Sequence, residues 1–283
     1  MNGRGSPSPT GVPHGAAAPG QLFARVGGRT LSYVAFGGRR GTPVLALHGT
    51  FGRGTVFTRL ARDLAGRARI VAPDQRGHGL SDRADDYGRD AFVADAAALL
   101  RELDLAPAVV LGHSLGGITA YQLAARHPEL VSALVVEDVG PLMRRPEIEN
   151  PVLDVRGWPR TGRTRDELAR KIEAAGVPDS GYFMHSAAPD GDHWRLLFDW
   201  DDMMEVQEGG VGDWWPDWLA STCPALVLHG GASPLLPAPL AREMTRRRPG
   251  TRLVTFPTAG HWIHDDEPDG VARAVSAFLD ELD

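Results

Sequence analysis

One stretch of this chain has the makings of nucleophilic chemistry: Gly112-His113-Ser114-Leu115-Gly116-Gly117. The apolar run Ala108–Leu111 ahead of it reads as a strand, and Leu115–Arg126 behind it reads as a helix. A serine on so sharp a strand-to-helix turn needs neighbours without bulk, because backbones approach closely there, and glycines at 112, 116 and 117 supply that room. The turn aims the N–H of Leu115 at an oxygen on the attacked carbon, where the helix N-terminus adds positive potential. The bland alternative, a plain helix-starting turn, explains the glycines but not the strand directly before them. A serine hydroxyl is too weakly acidic to attack unaided, so Ser114 needs a base within hydrogen-bond reach. Of the 10 histidines, His14, His127, His185 and His193 lie in peripheral or irregular stretches. His48, His78 and His229 read as loop-bonding side chains at the sheet's carboxyl edge, and the ring of His113 is expected to pack away from the pocket. His261 and His264 remain.

The elements that must position these groups come from the hydrophobic pattern. Leu31–Phe36, Val44–Leu47, Arg69–Ala72, Ala108–Leu111, Ala133–Val136, Ala225–Leu228 and Arg252–Phe256 read as strands, mostly flat apolar runs of the kind covered on both faces in a parallel sheet. Between them Phe92, Ala96, Leu99, Leu100 and Leu103 recur at helical spacing behind Asp90 as an N-cap, and Gly270–Leu282 is also helix-like. The alternation predicts a doubly wound α/β sheet. It breaks between Pro141 and Ser221, where six of the seven tryptophans and a run of acidic residues from Asp190 to Asp217 fall. Residues 141–220 are therefore expected to form a helical cap, with Arg165–Ala175 its clearest helix, on a core made of 21–140 and 221–283. The tryptophans either line an apolar pocket or form the cap's own core; the acidic residues read as a solvated face whose field disfavours strongly anionic substrates. Residues 1–20, rich in Gly, Pro, Ser and Ala, read as a disordered leader.

A length of 283 residues suits one large domain with an insertion. The net charge of -6 argues against a nucleic-acid or anionic-membrane partner, since both require a basic face. The lone Cys223 excludes an intrachain disulfide and a cysteine metal cluster and reads as a buried structural thiol. No apolar run approaches the length of a spanning helix and no signal-like start is present, so a cytoplasmic enzyme acting on a small molecule is expected.

The elbow Gly112-His113-Ser114-Leu115-Gly116-Gly117 resembles the nucleophile elbow of the α/β-hydrolase superfamily. Three further stretches resemble that family's motifs in the same order: Leu47-His48-Gly49-Thr50-Phe51-Gly52, Asp74-Gln75-Arg76-Gly77-His78-Gly79-Leu80-Ser81-Asp82, and Ala259-Gly260-His261-Trp262-Ile263-His264. The resemblance implies an α/β-hydrolase fold, His261 as the base, and the Thr50 N–H as the oxyanion donor beside that of Leu115. Asp74, Arg76 and Asp82 could read as a functional charged cluster; the bland reading, that they tie the loops around the oxyanion donors together through an arginine fork, is preferred. Many relatives carry the acid after the strand that corresponds to Ala225–Leu228, but here that loop reads His229-Gly230-Gly231-Ala232-Ser233-Pro234 and holds no carboxylate. A variant of the family places the acid one strand earlier, which selects Asp138, with Glu137 the alternative by adjacency. The implied activity is cleavage of a carboxylic ester, lactone or thioester through an acyl-Ser114 intermediate, with no metal or organic cofactor. Carbon–carbon bond hydrolysis, cofactor-free oxygenation, aminopeptidase activity and non-catalytic binding of a small molecule remain open on the same residues.

Overall fold

The computed structural model describes residues 20–37 and 41–282; all but the last residue of the expected 1–20 leader therefore lies outside the described residues. Eight strands form one sheet: β1 (Gln21–Val26), β2 (Arg29–Phe36), β3 (Thr42–Leu47), β4 (Ala68–Pro73), β5 (Ala108–His113), β6 (Val131–Glu137), β7 (Ala225–Gly230) and β8 (Thr251–Phe256). Their order is β1-β2-β4-β3-β5-β6-β7-β8. The β1–β2 and β2–β4 pairs are antiparallel and the rest are parallel. Each of the seven strands expected from the sequence is present with slightly wider ends. The exception is β1, whose polar residues Gln21 and Arg25 hide an edge strand from the hydrophobic pattern.

Side chains alternate faces along each strand, and the core divides accordingly. Val109 and Leu111 of β5, Val44 and Ala46 of β3 and Val135 of β6 pack with α1 (Thr58–Asp63) and, in the C-terminal segment, with Val271, Val275 and Phe278. Ala108, Val110, Leu45, Leu47, Leu134 and Val136 pack on the opposite face against α2 (Arg89–Glu102) and α3 (Leu115–Arg126). Helix α2 begins behind Gly88 rather than Asp90. Asp90 sits in its first turn instead, where a carboxylate favours the helix dipole, and pairs with Arg126 of α3 at 2.5 Å.

The insertion between β6 and β7 is more varied than the helical cap expected for 141–220. It holds α4 (Arg165–Ala175), α5 (Gly181–Met184), α6 (Trp200–Gly210) and α7 (Trp215–Ala220). It also holds a three-stranded antiparallel sheet of Thr161–Gly162, His193–Leu196 and Ala187–Asp190, and a two-stranded ladder of Leu142–Met143 with Gly212–Asp213. These strands are two to four residues long, below what a periodicity count can detect. Helix α4 has the expected bounds, and Thr164 caps it by accepting from the Glu167 N–H at 3.1 Å. Most of the acidic residues, Asp190, Asp192, Asp201, Glu205, Glu208 and Asp213, are exposed, as expected of a solvated face. Asp202 is buried and takes a two-pronged contact from Arg83 of the core, at 2.7 Å to each oxygen, plus the Tyr87 hydroxyl at 2.8 Å. Asp199 meets Arg160 at 2.5 Å.

Helix α8 (Ala238–Arg247) and then α9 (Ile263–Asp266) and α10 (Pro268–Leu279) complete the chain; Pro268 at the first helical position starts α10 two residues earlier, and it ends three residues earlier, than the apolar pattern suggested. Trp218 of α7 is fully buried, edge-on to Tyr121 of α3 at 5.8 Å, with its indole N–H on the Met244 carbonyl of α8 at 3.3 Å. It is the joint by which the end of the insertion grips the core. Trp218→Ala is expected to lower unfolding free energy by about 3–5 kcal/mol in urea titration; a loss under about 1 kcal/mol would show that the site collapses around the missing ring.

Candidate active site

The loops after β3, β4, β5, β6, β7 and β8 meet at the carboxyl edge of the sheet, where open α/β sheets place their ligands. Ser114 joins β5 to α3 within one residue at φ 52 and ψ -118. Such a left-handed conformation costs a non-glycine residue about 1–3 kcal/mol. Its N–H is held by the Glu137 carbonyl at 3.0 Å. A Cβ on Gly116 would strike the Leu47 carbonyl at the end of β3, so α3 reaches the sheet only because residue 116 has none. Leu115 is the first residue of α3, and its N–H has no intrahelical acceptor.

Gly49 and Gly52 close a turn through a 3.1 Å hydrogen bond, with Thr50 and Phe51 at its tip and Phe51 at φ 71. An ideal Cβ on Gly49 would lie 3.1 Å from the Ser114 Cβ, so the turn carrying Thr50 passes directly beside the serine. Among the described residues no hydrogen bond occupies the Thr50 N–H.

Asp138 is fully buried at φ 50, and three residues hold its carboxylate. Oδ1 accepts the Gly230 N–H at 3.0 Å. Oδ2 accepts the Ser233 hydroxyl and lies 2.8 Å from His261 Nδ1. The loop that lacks a carboxylate thus serves the aspartate one strand away. Glu137 does not compete for His261. Its Oε1 lies 2.7 Å from His264 Nδ1 and accepts the His264 N–H at 2.9 Å. Strand alternation gives each acid its own histidine. Ser114, Thr50 and Leu115 converge on one side of the sheet edge, and Asp138 with His261 comes from the neighbouring loops; among the described residues no hydrogen bond joins the Ser114 hydroxyl to His261.

How His113 is used was not readable from the pattern around Ser114. Its ring is buried against His261 and His264, at centroid distances of 4.7 and 5.0 Å, and its Nε2–H donates to the His261 carbonyl at 3.0 Å. Burial first, then the neighbouring imidazoles of His261 and His264, push its pKa well below 6.5. It is a neutral strut for the loop that carries His261. His48 and His78 are likewise held neutral, chiefly by burial, the latter down to about 4. His48 donates to the Gly49 carbonyl at 2.8 Å and accepts the Gln75 N–H at 2.9 Å. His229 meets Thr255.

Asp74, Arg76 and Asp82 tie loops together, though not to one another. Asp74 takes the Gly54 and Leu80 N–H groups at 2.8 and 2.9 Å, Arg76 forks onto Asp95 and the Asp86 and Ala91 carbonyls, and Asp82 takes the Thr30 N–H. Cys223 is half-buried beside Arg248, and burial raises its thiol pKa. His113, Glu137 and His264 offer ligand atoms within 4.8 Å of one another. Glu137 Oε1 is held by His264, and His113 is engaged at both nitrogens, Nε2 on the His261 carbonyl and Nδ1 3.4 Å from the Tyr182 hydroxyl, so the group fits a hydrogen-bonded core better than a metal centre.

This geometry sits on a chain that belongs to the alpha/beta hydrolase family, whose model matches residues 44–274. The chain is 31% identical over 271 residues to the sn-1-specific diacylglycerol lipase ABHD11 of Mus musculus, covering 88% of this chain and 85% of that protein. It is 30% identical over 256 residues to the 2-(acetamidomethylene)succinate hydrolase of Mesorhizobium japonicum, covering 85% and 88%. A crystal structure of E-2-(acetamidomethylene)succinate hydrolase superposes with a TM-score of 0.80 at 27% identity, over 92% of this chain and 99% of that one. The protein is an enzyme of the hydrolase class. Among its described residues no helix is long and apolar enough to cross a membrane.

His264 has a raised pKa. Burial acts to lower it, but the charge and hydrogen bond of Glu137, with Asp265 and Asp266 behind, outweigh burial and lift it above 6.5. A histidine whose folded pKa exceeds its unfolded one stabilises the fold fully below the unfolded pKa, and that stability fades as pH rises through the folded value. His264→Gln, which keeps a donor for Glu137, is therefore expected to cost more stability at about pH 5.5 than at about pH 9 in parallel urea titrations. Equal losses at both values would contradict a charged His264–Glu137 pair.

Proposed function

We propose that the protein is a serine hydrolase that cleaves carboxylic esters of small apolar or aromatic molecules through an acyl-Ser114 intermediate. The observation that carries this reading is the 2.8 Å contact of His261 Nδ1 with the buried Asp138 carboxylate, beside a serine held at positive φ. Bonded there, Nδ1 carries the ring proton and Nε2 is left as the base. Ser114 Oγ attacks the ester carbonyl carbon while its proton passes to His261 Nε2. The carbonyl oxygen, now negative, lies between the N–H groups of Thr50 and Leu115, which meet it without reorganising. Collapse expels the alcohol, which leaves with the proton from His261. Water then gives a proton to His261 and its oxygen to the acyl carbon, and the acid departs as Ser114 recovers its hydrogen.

The Asp138 carboxylate offsets the charge that His261 gains in each half of the cycle. Gly230 and Ser233 fix that carboxylate in place. Phe51 of the turn packs with Phe183, Phe198 and Trp200 at ring-centroid distances of 4.9 to 6.3 Å, so the insertion meets the turn through apolar aromatic side chains. The lipase named among the relatives also acts on esters, which agrees with this chemistry.

On a series of p-nitrophenyl esters, Asp138→Asn is expected to lower kcat by roughly a thousandfold or more, because the amide stabilises the wrong tautomer of His261 and no longer offsets its charge. Glu137→Gln is expected to stay within about tenfold of the parent, its effect falling on stability through His264. The reverse pattern, with turnover lost in Glu137→Gln and kept in Asp138→Asn, would transfer the role to Glu137 and His264.

A further inference from the structure

Two side chains of the insertion hydrogen-bond to the turn bearing Thr50. The Tyr182 hydroxyl accepts the Gly49 N–H at 3.0 Å, on one side of Thr50. On the other side the Ser186 hydroxyl donates to the Phe51 carbonyl at 2.7 Å. Tyr182 is buried, and its ring lies flat on Trp262, the neighbour of His261, at 5.4 Å and 19°. A Cβ on Gly52 would occupy the place of the Tyr182 hydroxyl, so the turn is shaped to admit it.

The hydroxyl has one hydrogen to give and two acceptors within reach, the Gly49 carbonyl at 3.3 Å and His113 Nδ1 at 3.4 Å. The carbonyl's two lone pairs are already taken by His48 Nδ1 at 2.8 Å and by the Gly52 N–H at 3.1 Å. His113 donates through Nε2, so its Nδ1 is a free acceptor. The hydrogen is therefore directed to His113. A continuous path results: Gly49 N–H to Tyr182, Tyr182 O–H to His113, and His113 N–H to the His261 carbonyl. Burial raises the phenol pKa well above 10, so Tyr182 keeps its hydrogen across the working range of pH.

We propose that Tyr182 is a positioning residue which holds the Thr50 N–H in register with the His261 loop, so that the insertion is part of the catalytic geometry as well as a cover. This rests on the reading of Ser114 as an acylating nucleophile and Thr50 as an oxyanion donor. An N–H that supports charge developing in the transition state must be placed before the charge arrives, and small displacements of such donors reduce turnover more than binding. Ser186 supports the same turn from its far side.

The test uses the full-length protein and two readouts. Tyr182→Phe keeps the ring on Trp262 and removes only the hydroxyl. Its kcat for a p-nitrophenyl ester is expected to fall about tenfold while KM moves by less than about twofold. Amide hydrogen exchange at Gly49 is expected to quicken about tenfold in the same variant, with exchange in the β5 and β6 strands unchanged. Ser186→Ala should move both readouts in the same direction by a smaller factor. An unchanged kcat in Tyr182→Phe, or a fall in kcat with unaltered exchange at Gly49, would overturn the proposal. If Ser114→Ala hydrolysed the ester as fast as the parent, the hydrolase reading would fail instead, and exchange at Gly49 would still decide for or against the clamp.

Discussion

The chain passes from β5 into α3 through a single residue, Ser114, and everything at the sheet edge is arranged around that reversal. The turn is strained at φ 52, and it closes because Gly116 lets the start of α3 lie against the Leu47 carbonyl. The same close approach brings the Gly49–Gly52 turn beside the serine. Among the described residues four that are not glycine have positive φ, and three of them, Phe51, Ser114 and Asp138, are at this edge. Strain of about 1–3 kcal/mol at each is held by the surrounding packing, and its concentration at one place is what a preorganised site requires.

The histidines closest to this edge are of two kinds. His48, His78 and His113 are driven neutral chiefly by burial and act as hydrogen-bonded struts. His261 and His264 each have a carboxylate of their own, from adjacent residues at the end of β6. The pairing separates their duties. Glu137 and His264 form a closed, buried pair, whereas His261 is the less buried of the two histidines. The insertion contributes to this edge through Tyr182 and Ser186, while Arg83 fastens it to the core through Asp202.

What the sequence made legible was local. The glycines around Ser114 and the strand before it are contiguous, so a pattern of six residues was enough to mark the elbow. The flat apolar runs gave the parallel strands because both faces of each are buried. Asp138 was legible in a different way, through the absence of a carboxylate between His229 and Pro234, and the structure puts Ser233 of that very loop on its oxygen. The contacts of Tyr182 with Gly49 and of His264 with Glu137 were not legible. They join residues 133 and 127 positions apart, and neither partner sits in a pattern that names the other. The short strands of the insertion escaped for a similar reason, since two to four residues show no period. Asp90 misled because a carboxylate is equally at home as a cap and inside the first turn.

Catalysis at this edge requires that Ser114 be a nucleophile that His261 activates. Reaction of the folded protein with a fluorophosphonate, followed by intact mass and peptide mapping, tests that directly. A single adduct on the peptide containing Ser114, lost in Ser114→Ala and strongly slowed in His261→Ala, is the predicted result. No adduct on Ser114, or labelling at an undiminished rate in His261→Ala, would contradict it.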